Sequence, residues 1–520
     1  MSSFRDGKPL SEKVTGGKLM QDWLTARAQA TPDKVALITN PGDGAHELTF
    51  AQLAGQVRQM ARQWIAAGIE PGQRVAVLAI TWPLTVVQLF TAMRLDCVLV
   101  PINIRLTLDE IDQQLRLAEC DWLLPYGLTD TLGGLHERGH KIANLDVQRK
   151  VAKKVTLPDH DIDLSEPLAI IHTSGTSGTP KGAVLTYGNF YQSAMASAYR
   201  LGVLPEDRWL CVLPLYHVGG LSILIRSVLY GTAVDLVEKF DVDAINRKLT
   251  EEPITLVSLV PTMLYRLLEA RTQPWNDQLR LVLLGGAAPS AELLQRCHDE
   301  GVPVATTYGL TEAASQVATA GPELARRKPG TVGKPLLFTQ VKVVKETGGE
   351  AKPGDYGEVL VSGPTVMQGY YNNPDATDKT LKNGWLHTGD IGYLDDDGDL
   401  FLVQRRSDLI VTGGENVYPV EVEAVLRGHP AIKEVAVTGL DHPEWGQQVA
   451  AALVINDNMS VSDEDLITYC RDHLAGYKIP RHFLKVGALP QTGSGKIQRG
   501  ALRELFIEQQ NSHQRGDLSP

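Results

Sequence analysis

The chain has 520 residues, too many for one simple core and enough for two to four domains of about 100–200 residues each. Its 50 Lys+Arg against 61 Asp+Glu leave a net charge of −11, which disfavours nonspecific attachment to nucleic acid or anionic membrane and turns attention to small molecules and other proteins. With 43% hydrophobic and 21% charged residues the make-up is that of a soluble globular enzyme, which excludes a peptide, a lone binding module and a disordered chain.

Met1 to Lys18 is polar and carries Arg5, Lys8, Lys13 and Lys18 without an apolar centre, so it does not read as a secretory signal. The five cysteines (Cys97, Cys120, Cys211, Cys297 and Cys470) are widely spread and never form Cys-x-x-Cys, which suggests neither a disulfide framework nor a zinc knuckle. A cytoplasmic, reducing setting is expected. No apolar run approaches the roughly 20 residues that cross a bilayer; Leu213 to Leu229 is interrupted by His217, by glycines and by Arg226, so no stable membrane insertion is expected.

Between about residues 20 and 400, short apolar β-type runs alternate with helical patterns. Val75 to Ile80 reads as a strand, Pro83 to Leu95 as a helix, and Val98 to Pro101 as the next strand. That rhythm predicts a large α/β region with mostly parallel sheets. The strand Leu168 to His172 leads into Thr173-Ser174-Gly175-Thr176-Ser177-Gly178-Thr179-Pro180-Lys181-Gly182, three glycines and five hydroxyls around one lysine. Glycines let backbone N–H groups approach phosphate oxygens, hydroxyls add donors and Lys181 adds charge, so the loop reads as a polyphosphate cradle. Neither a Walker A pattern nor Gly-x-Gly-x-x-Gly can be laid on it.

Pro214-Leu215-Tyr216-His217-Val218-Gly219-Gly220 precedes the apolar stretch Leu221 to Ile225, which meets Arg226. A guanidinium in such surroundings is costly unless paired, so Arg226 wants a carboxylate, either a structural Asp or Glu or a group on the substrate. Ile254 to Val260, with Ser258 inside it, reads as a strand before a helix Thr262 to Ala270, and Leu279 to Leu284 leads through Gly285-Gly286 to a helix around Ala291 to Asp299. Val302 to Thr307 then delivers Tyr308-Gly309-Leu310-Thr311-Glu312: an aromatic face, a hydroxyl and a carboxylate suited to a base, a phosphate and a hard cation.

From Gly384 to Pro419 glycine- and aspartate-rich turns take over, with Asp395-Asp396-Asp397-Gly398 as a hairpin signal and a domain boundary expected close by. Thr388-Gly389-Asp390 and Arg405 offer a carboxylate and a guanidinium to ribose hydroxyls. Beyond the boundary, a helix (Pro419 to Leu426), two strands (Glu434 to Thr438 and Gln448 to Ile455) and a helix Ser462 to Leu474, opened by Ser462 with Asp465, predict a small α+β domain. Pro490 to Arg499 places Lys496 on a pliable Gly/Ser loop, far in sequence from the phosphate loop, where a lysine by itself reads as a solvated charge. The polar end, Gln509 to Pro520, reads as frayed.

The ten-residue loop and the blocks after it resemble the adenylate-forming superfamily of acyl- and aryl-CoA ligases, luciferases and peptide-synthetase adenylation domains. The resemblance runs in the family's order from Thr31-Pro32-Asp33-Lys34 to Gly495-Lys496. It implies the adenylate-forming fold, with an N-terminal adenylation domain over 1–407 and a mobile C-terminal domain over 408–520. It implies ATP and Mg²⁺ at Thr173, Ser174, Gly175, Thr176, Ser177, Gly178 and Lys181, with Tyr308 on adenine, Thr311 at the α-phosphate, Glu312 at Mg²⁺, and Asp390 with Arg405 at the ribose. Lys496 would be the adenylation lysine and Asp408 the hinge, beside Ser407 where many relatives carry a charge. Rotation about that hinge would exchange the Lys496 face for Gly413-Gly414-Glu415-Asn416, the wall of a coenzyme A tunnel in which Gly414 lies.

His217 falls where the acyl- and aryl-CoA ligases carry an aromatic or histidine gate, and no aspartate stands there to grip an amino acid's ammonium. Within the superfamily the pattern resembles most the o-succinylbenzoate–CoA ligases of menaquinone synthesis, on Leu213 to Ser222, Val282 to Pro289 and Gly384 to Asp390. That branch implies a diacid, with Arg226 and Ser258 at the second carboxylate and Gly285 and Gly286 in the same pocket. The reaction expected is acid + ATP + CoA to acyl-CoA, AMP and pyrophosphate. Fatty-acyl or other aryl acids, and loading of a carrier protein, stay open, as does the oligomeric state, a homo-oligomer included.

Overall fold

The computed structural model describes residues 19–39, 46–125, 129–143, 145, 155–157, 160–173, 180–345, 347–404, 410–456, 459–490, 497 and 499–516. The largest sheet has 14 strands and changes character across its width. Val35–Thr39, Ala233–Leu236, Arg208–Cys211, Leu256–Leu259, Leu281–Leu284 and Val304–Leu310 lie side by side in parallel. From Val304–Leu310 outward to the edge strand Gln340–Val344 every pairing along the sheet is antiparallel. Strands such as Leu281–Leu284 are buried at every residue, as covering on both faces requires.

A six-stranded sheet sets Trp122–Leu124, Arg74–Leu78, Val98–Ile102 and Pro167–Thr173 in parallel and closes with the antiparallel Lys181–Thr186 and Gly369–Tyr370. One continuous core joins the two sheets, with Trp64, Phe90, Tyr187 and Leu283 among its members. The C-terminal domain is separate: its five strands, the longest being Ile432–His442 and Gly446–Ile455, enclose a core of their own around Val422, Val437, Leu453 and Leu466.

Local signals explain most of the helices. Pro83 and Pro261 each open a helix at its first position, where the missing N–H costs no hydrogen bond. Ser462 and Asp465 close the expected capping box before Asp463–Arg471. The apolar run from Leu213 becomes the 13-residue helix Val218–Tyr230, about 20 Å long at 1.5 Å per residue, and its apolarity serves burial between layers. Among the described residues no helix is long and apolar enough to cross a membrane.

The chain end corrects one expectation. Gln509 to Gly516 continues the helix Arg499–Gly516. Leu502 and Phe506 anchor that helix on the C-terminal sheet beside Leu440 and Leu484, and once nucleated it propagates through Glu and Gln, which are good helix formers.

Candidate active site

A cavity of about 400 Å³ opens at the carboxyl ends of the parallel strands, where the two N-terminal sheets face the C-terminal domain. One wall is the hairpin of Pro167–Thr173 and Lys181–Thr186, in which Thr173 pairs with Lys181. Both residues line the cavity. Ser174, Gly175, Thr176, Ser177 and Gly178 lie outside the described residues, as do Arg405, Asp408 and Lys496.

Thr311 and Glu312 occupy a single 3₁₀ turn, Thr311–Ala313, across the cavity from Lys181. The Tyr370 hydroxyl donates to Glu312 Oε1 at 2.8 Å, and the Lys181 ammonium lies 5.1 Å from the centre of the Tyr370 ring. Tyr308 is buried and donates its hydroxyl to Asp390 Oδ2 at 2.5 Å, so the aromatic and the carboxylate expected at adenine and ribose stand together. The strand bulges between Tyr308 and Gly309, where a Cβ on Gly309 would lie 1.9 Å from the Ser315 carbonyl oxygen. The glycine thereby lets Thr311 and Glu312 turn toward the cavity.

The acid-side residues converge on the same space. Arg226, Ser258, Gly285, Gly286 and His217 all line it. Arg226, on the helix Val218–Tyr230, is only 2% exposed. Its Nη2 donates to Ser193 Oγ at 3.4 Å, its Nε has no partner, and among the described residues no carboxylate pairs with it. Burial lowers its pKa from the usual arginine value. Ser258 accepts from the Trp209 indole N–H at 3.1 Å. Gly285 has no room for a side chain, since a Cβ would lie 2.7 Å from the Thr307 methyl.

The C-terminal domain supplies the facing wall. Gly414 abuts Val260, where a Cβ would come within 3.0 Å. Glu415, 4% exposed, joins three N-terminal side chains: Arg105 at 2.9 Å, the Tyr216 hydroxyl at 3.2 Å and His217 Nε2 at 3.1 Å. Burial alone would raise the Glu415 pKa, but the charge and hydrogen bond of His217, with Arg105 and Tyr216, hold it down at about 2. A second buried link runs from Lys478 Nζ to Glu110 at 2.5 Å and to Glu421 at 2.7 Å. Sequence reading included Gly413 to Asn416 in this wall but gave no sign of Arg105, Tyr370 or Lys478. Their partners are 310, 58 and 368 residues away, a separation that leaves no local pattern.

Among the described residues, neither buried ring nitrogen of His172, next to Thr173, has a hydrogen-bond partner, and burial lowers its pKa to about 4. Its unfolded value is about 6.5, so the unfolded chain binds the extra proton first as the solution is acidified. Stability is therefore full above that value and lost as pH falls toward 4. His172→Phe should flatten the drop in urea midpoint between pH 7 and pH 5; an equal drop in both proteins would show that His172 does not contribute to it.

Comparison with known proteins follows the same division. The AMP-binding enzyme family model matches residues 24–371, and the model of the AMP-binding enzyme C-terminal domain matches 421–496. The 2-succinylbenzoate–CoA ligase of Bacillus licheniformis is 40% identical over 484 residues, 92% of this chain and 99% of that one. Bacillus subtilis o-succinylbenzoate CoA synthetase, as a double mutant bound to the product analogue OSB-NCoA, superposes with a TM-score of 0.88 at 36% identity, covering 94% of this chain and 99% of that one. The same B. subtilis enzyme in complex with ATP and magnesium ion gives 0.71 at 37% identity, covering 93% and 100%. The sequence match hardly differs between those two complexes, so the difference in score lies in shape, and this chain's shape is nearer to that of the product-analogue complex. With one match spanning the six-stranded sheet and most of the 14-stranded one, and the other most of the C-terminal domain, the chain belongs to the AMP-binding enzyme family.

Proposed function

We propose that this chain is an ATP-dependent acid–CoA ligase acting on 2-succinylbenzoate, through an acyl-adenylate. Arg226 carries the reading of the acid. A guanidinium buried to 98%, bonded among the described residues to a serine hydroxyl at 3.4 Å and to no carboxylate, and lining the cavity, fits a second carboxylate on the substrate. A charge-assisted contact there contributes about 1.5–3 kcal/mol, and a monoacid would leave the arginine unpaired.

In the first half-reaction the substrate's other carboxylate attacks the α-phosphorus of ATP and pyrophosphate leaves. Lys181 and the Thr173–Gly182 loop hold the phosphates, Tyr308 and Asp390 with Arg405 hold the nucleoside, and Lys496 balances the charge that builds between acid and phosphate. Glu312 fits magnesium: its carboxylate lines the cavity beside Thr311 and opposite Lys181. Magnesium held by Glu312 would supply neutralising charge to the phosphate oxygens. In the second half-reaction the CoA thiolate attacks the acyl carbon, the C–S bond forms, the C–O bond to AMP breaks, and AMP leaves. Gly413 to Asn416 face the cavity in this step, and Glu415 draws His217 aside from the path of the thiol.

The chain divides at residues 407 and 408 in this reading, with Asp408 as the hinge. The five free cysteines favour the cytoplasm. A panel of 2-succinylbenzoate, benzoate and a fatty acid, assayed by pyrophosphate release and then by thioester formed with CoA alone, tests the proposal. The diacid should be turned over far faster than either monoacid. Equal turnover of a monoacid overturns the substrate, and absence of thioester with CoA alone points to a carrier protein as acceptor.

A further inference from the structure

Three segments remote in sequence meet at one phenol. Gly369–Tyr370 pairs with the strand that Lys181 opens, in the register Tyr370 to Ala183. Beside it, the Met367 N–H donates to the Glu312 carbonyl at 2.9 Å, and the Tyr371 N–H donates to the Gly182 carbonyl at 2.8 Å. The backbone of this segment thus spans the gap between the lysine side of the cavity and the Glu312 turn. The Tyr370 side chain repeats the connection: the hydroxyl donates to Glu312 Oε1 at 2.8 Å, and the ring lies 5.1 Å from the Lys181 ammonium. The ring is itself fixed at its root, where the Tyr370 N–H donates to Thr377 Oγ1 at 2.9 Å.

We infer that Tyr370 is a positioning residue for the metal–nucleotide site: it restrains one oxygen of Glu312, leaves the other to the cation, and sets the Lys181 ammonium at a fixed distance from it. The inference rests on Glu312 as the magnesium carboxylate. The phenol is the donor in this pair, since an ionised carboxylate can only accept. A ligand oxygen held by a second residue spends less freedom on binding the ion, which is why partners one step removed from a metal affect its affinity. The ring adds a cation–π contact that disfavours swinging Lys181 out of the cavity.

The test separates hydroxyl from ring and uses ATP binding without any acid. Calorimetric titration of the full chain with ATP at graded magnesium should show the half-saturating magnesium concentration raised about tenfold in Tyr370→Phe, which keeps the ring. Binding at saturating magnesium should stay within about twofold of wild type in that variant. Tyr370→Leu, which removes the ring as well, should also weaken ATP at saturating magnesium. Thioester formation from supplied adenylate should be unchanged in Tyr370→Phe, which a merely structural role would not predict. An unshifted magnesium dependence in Tyr370→Phe, or equal losses in both half-reactions, overturns the inference. Glu312→Gln keeps the two questions apart. A wild-type magnesium dependence in it overturns the metal assignment, whereas a shift in it with none in Tyr370→Phe overturns the positioning role alone.

Discussion

Lys478→Met is expected to cut thioester formation from supplied 2-succinylbenzoyl adenylate by about 10²–10³-fold while leaving ATP–pyrophosphate exchange near the wild-type rate, on a cost of about 3–5 kcal/mol for stranding a buried charge. The side chain is 6% exposed and joins Glu110, on the N-terminal helix Leu108–Leu117, to Glu421, in the first turn of the C-terminal helix Pro419–Arg427. Glu110 cannot turn away freely, because its other oxygen accepts from the Thr107 N–H and hydroxyl and closes that helix's capping box. Burial would lower the Lys478 pKa, but Glu421 and Glu110 together raise it, and burial raises that of Glu421. Removing the ammonium leaves two carboxylates facing each other away from water. They can escape only by moving the domains apart, which abandons the arrangement with Gly414 at the cavity. Equal losses in the two half-reactions would show that Lys478 supports the fold at large; Glu421→Gln, which keeps one carboxylate for the lysine, should be much milder.

Arg226→Met should raise KM for 2-succinylbenzoate on the order of 10²-fold, corresponding to about 2–5 kcal/mol for truncating one partner of a buried charge pair. KM for ATP should hardly move, since Arg226 stands on the acid side and the nucleotide residues on other strands. Methionine keeps most of the volume and removes a desolvated charge that has no protein carboxylate beside it among the described residues. The unliganded variant should therefore melt at or above the wild-type temperature. Binding is weakened and the fold is not, a combination that loss of structure cannot produce. An unchanged acid KM, with a lower melting temperature, would mean that Arg226 is structural after all.

Of the contiguous groups named from the sequence, Thr388, Asp390, Thr311 and Glu312 line the cavity. Thr388 to Asp390 and Tyr308 to Glu312 are short, dense in functional groups and placed after strands, so their chemistry can be read without knowing what they face. The strand there was expected to stop at Thr307 and in fact runs through Leu310, because the bulge at Gly309 carries the pairing past the point where the apolar run ends. The Ser462 cap was legible for a similar reason: both of its hydrogen bonds fall within four residues. Arg226 shows the opposite limit. Its apolar neighbours announced burial, yet whether a protein carboxylate pairs with it depends on elements hundreds of residues apart, and the sequence left both answers open. Lys478, Tyr370 and Arg105 were missed because a lysine or tyrosine on a loop looks alike whether it meets solvent or a distant carboxylate.

On the proposed function, one helix would bear on both ends of the substrate. His217 is the residue before the first turn of Val218–Tyr230, and Arg226 lies nine positions on, about 13 Å further along the axis at 1.5 Å per residue. The rod is buried along almost its whole length, so that interval cannot stretch to suit the guest. On that reading the helix would hold the residue beside the activated carboxylate and the one that takes the second in a fixed relation, so that having two carboxylates is not enough and acids with other spacers should be poorer substrates.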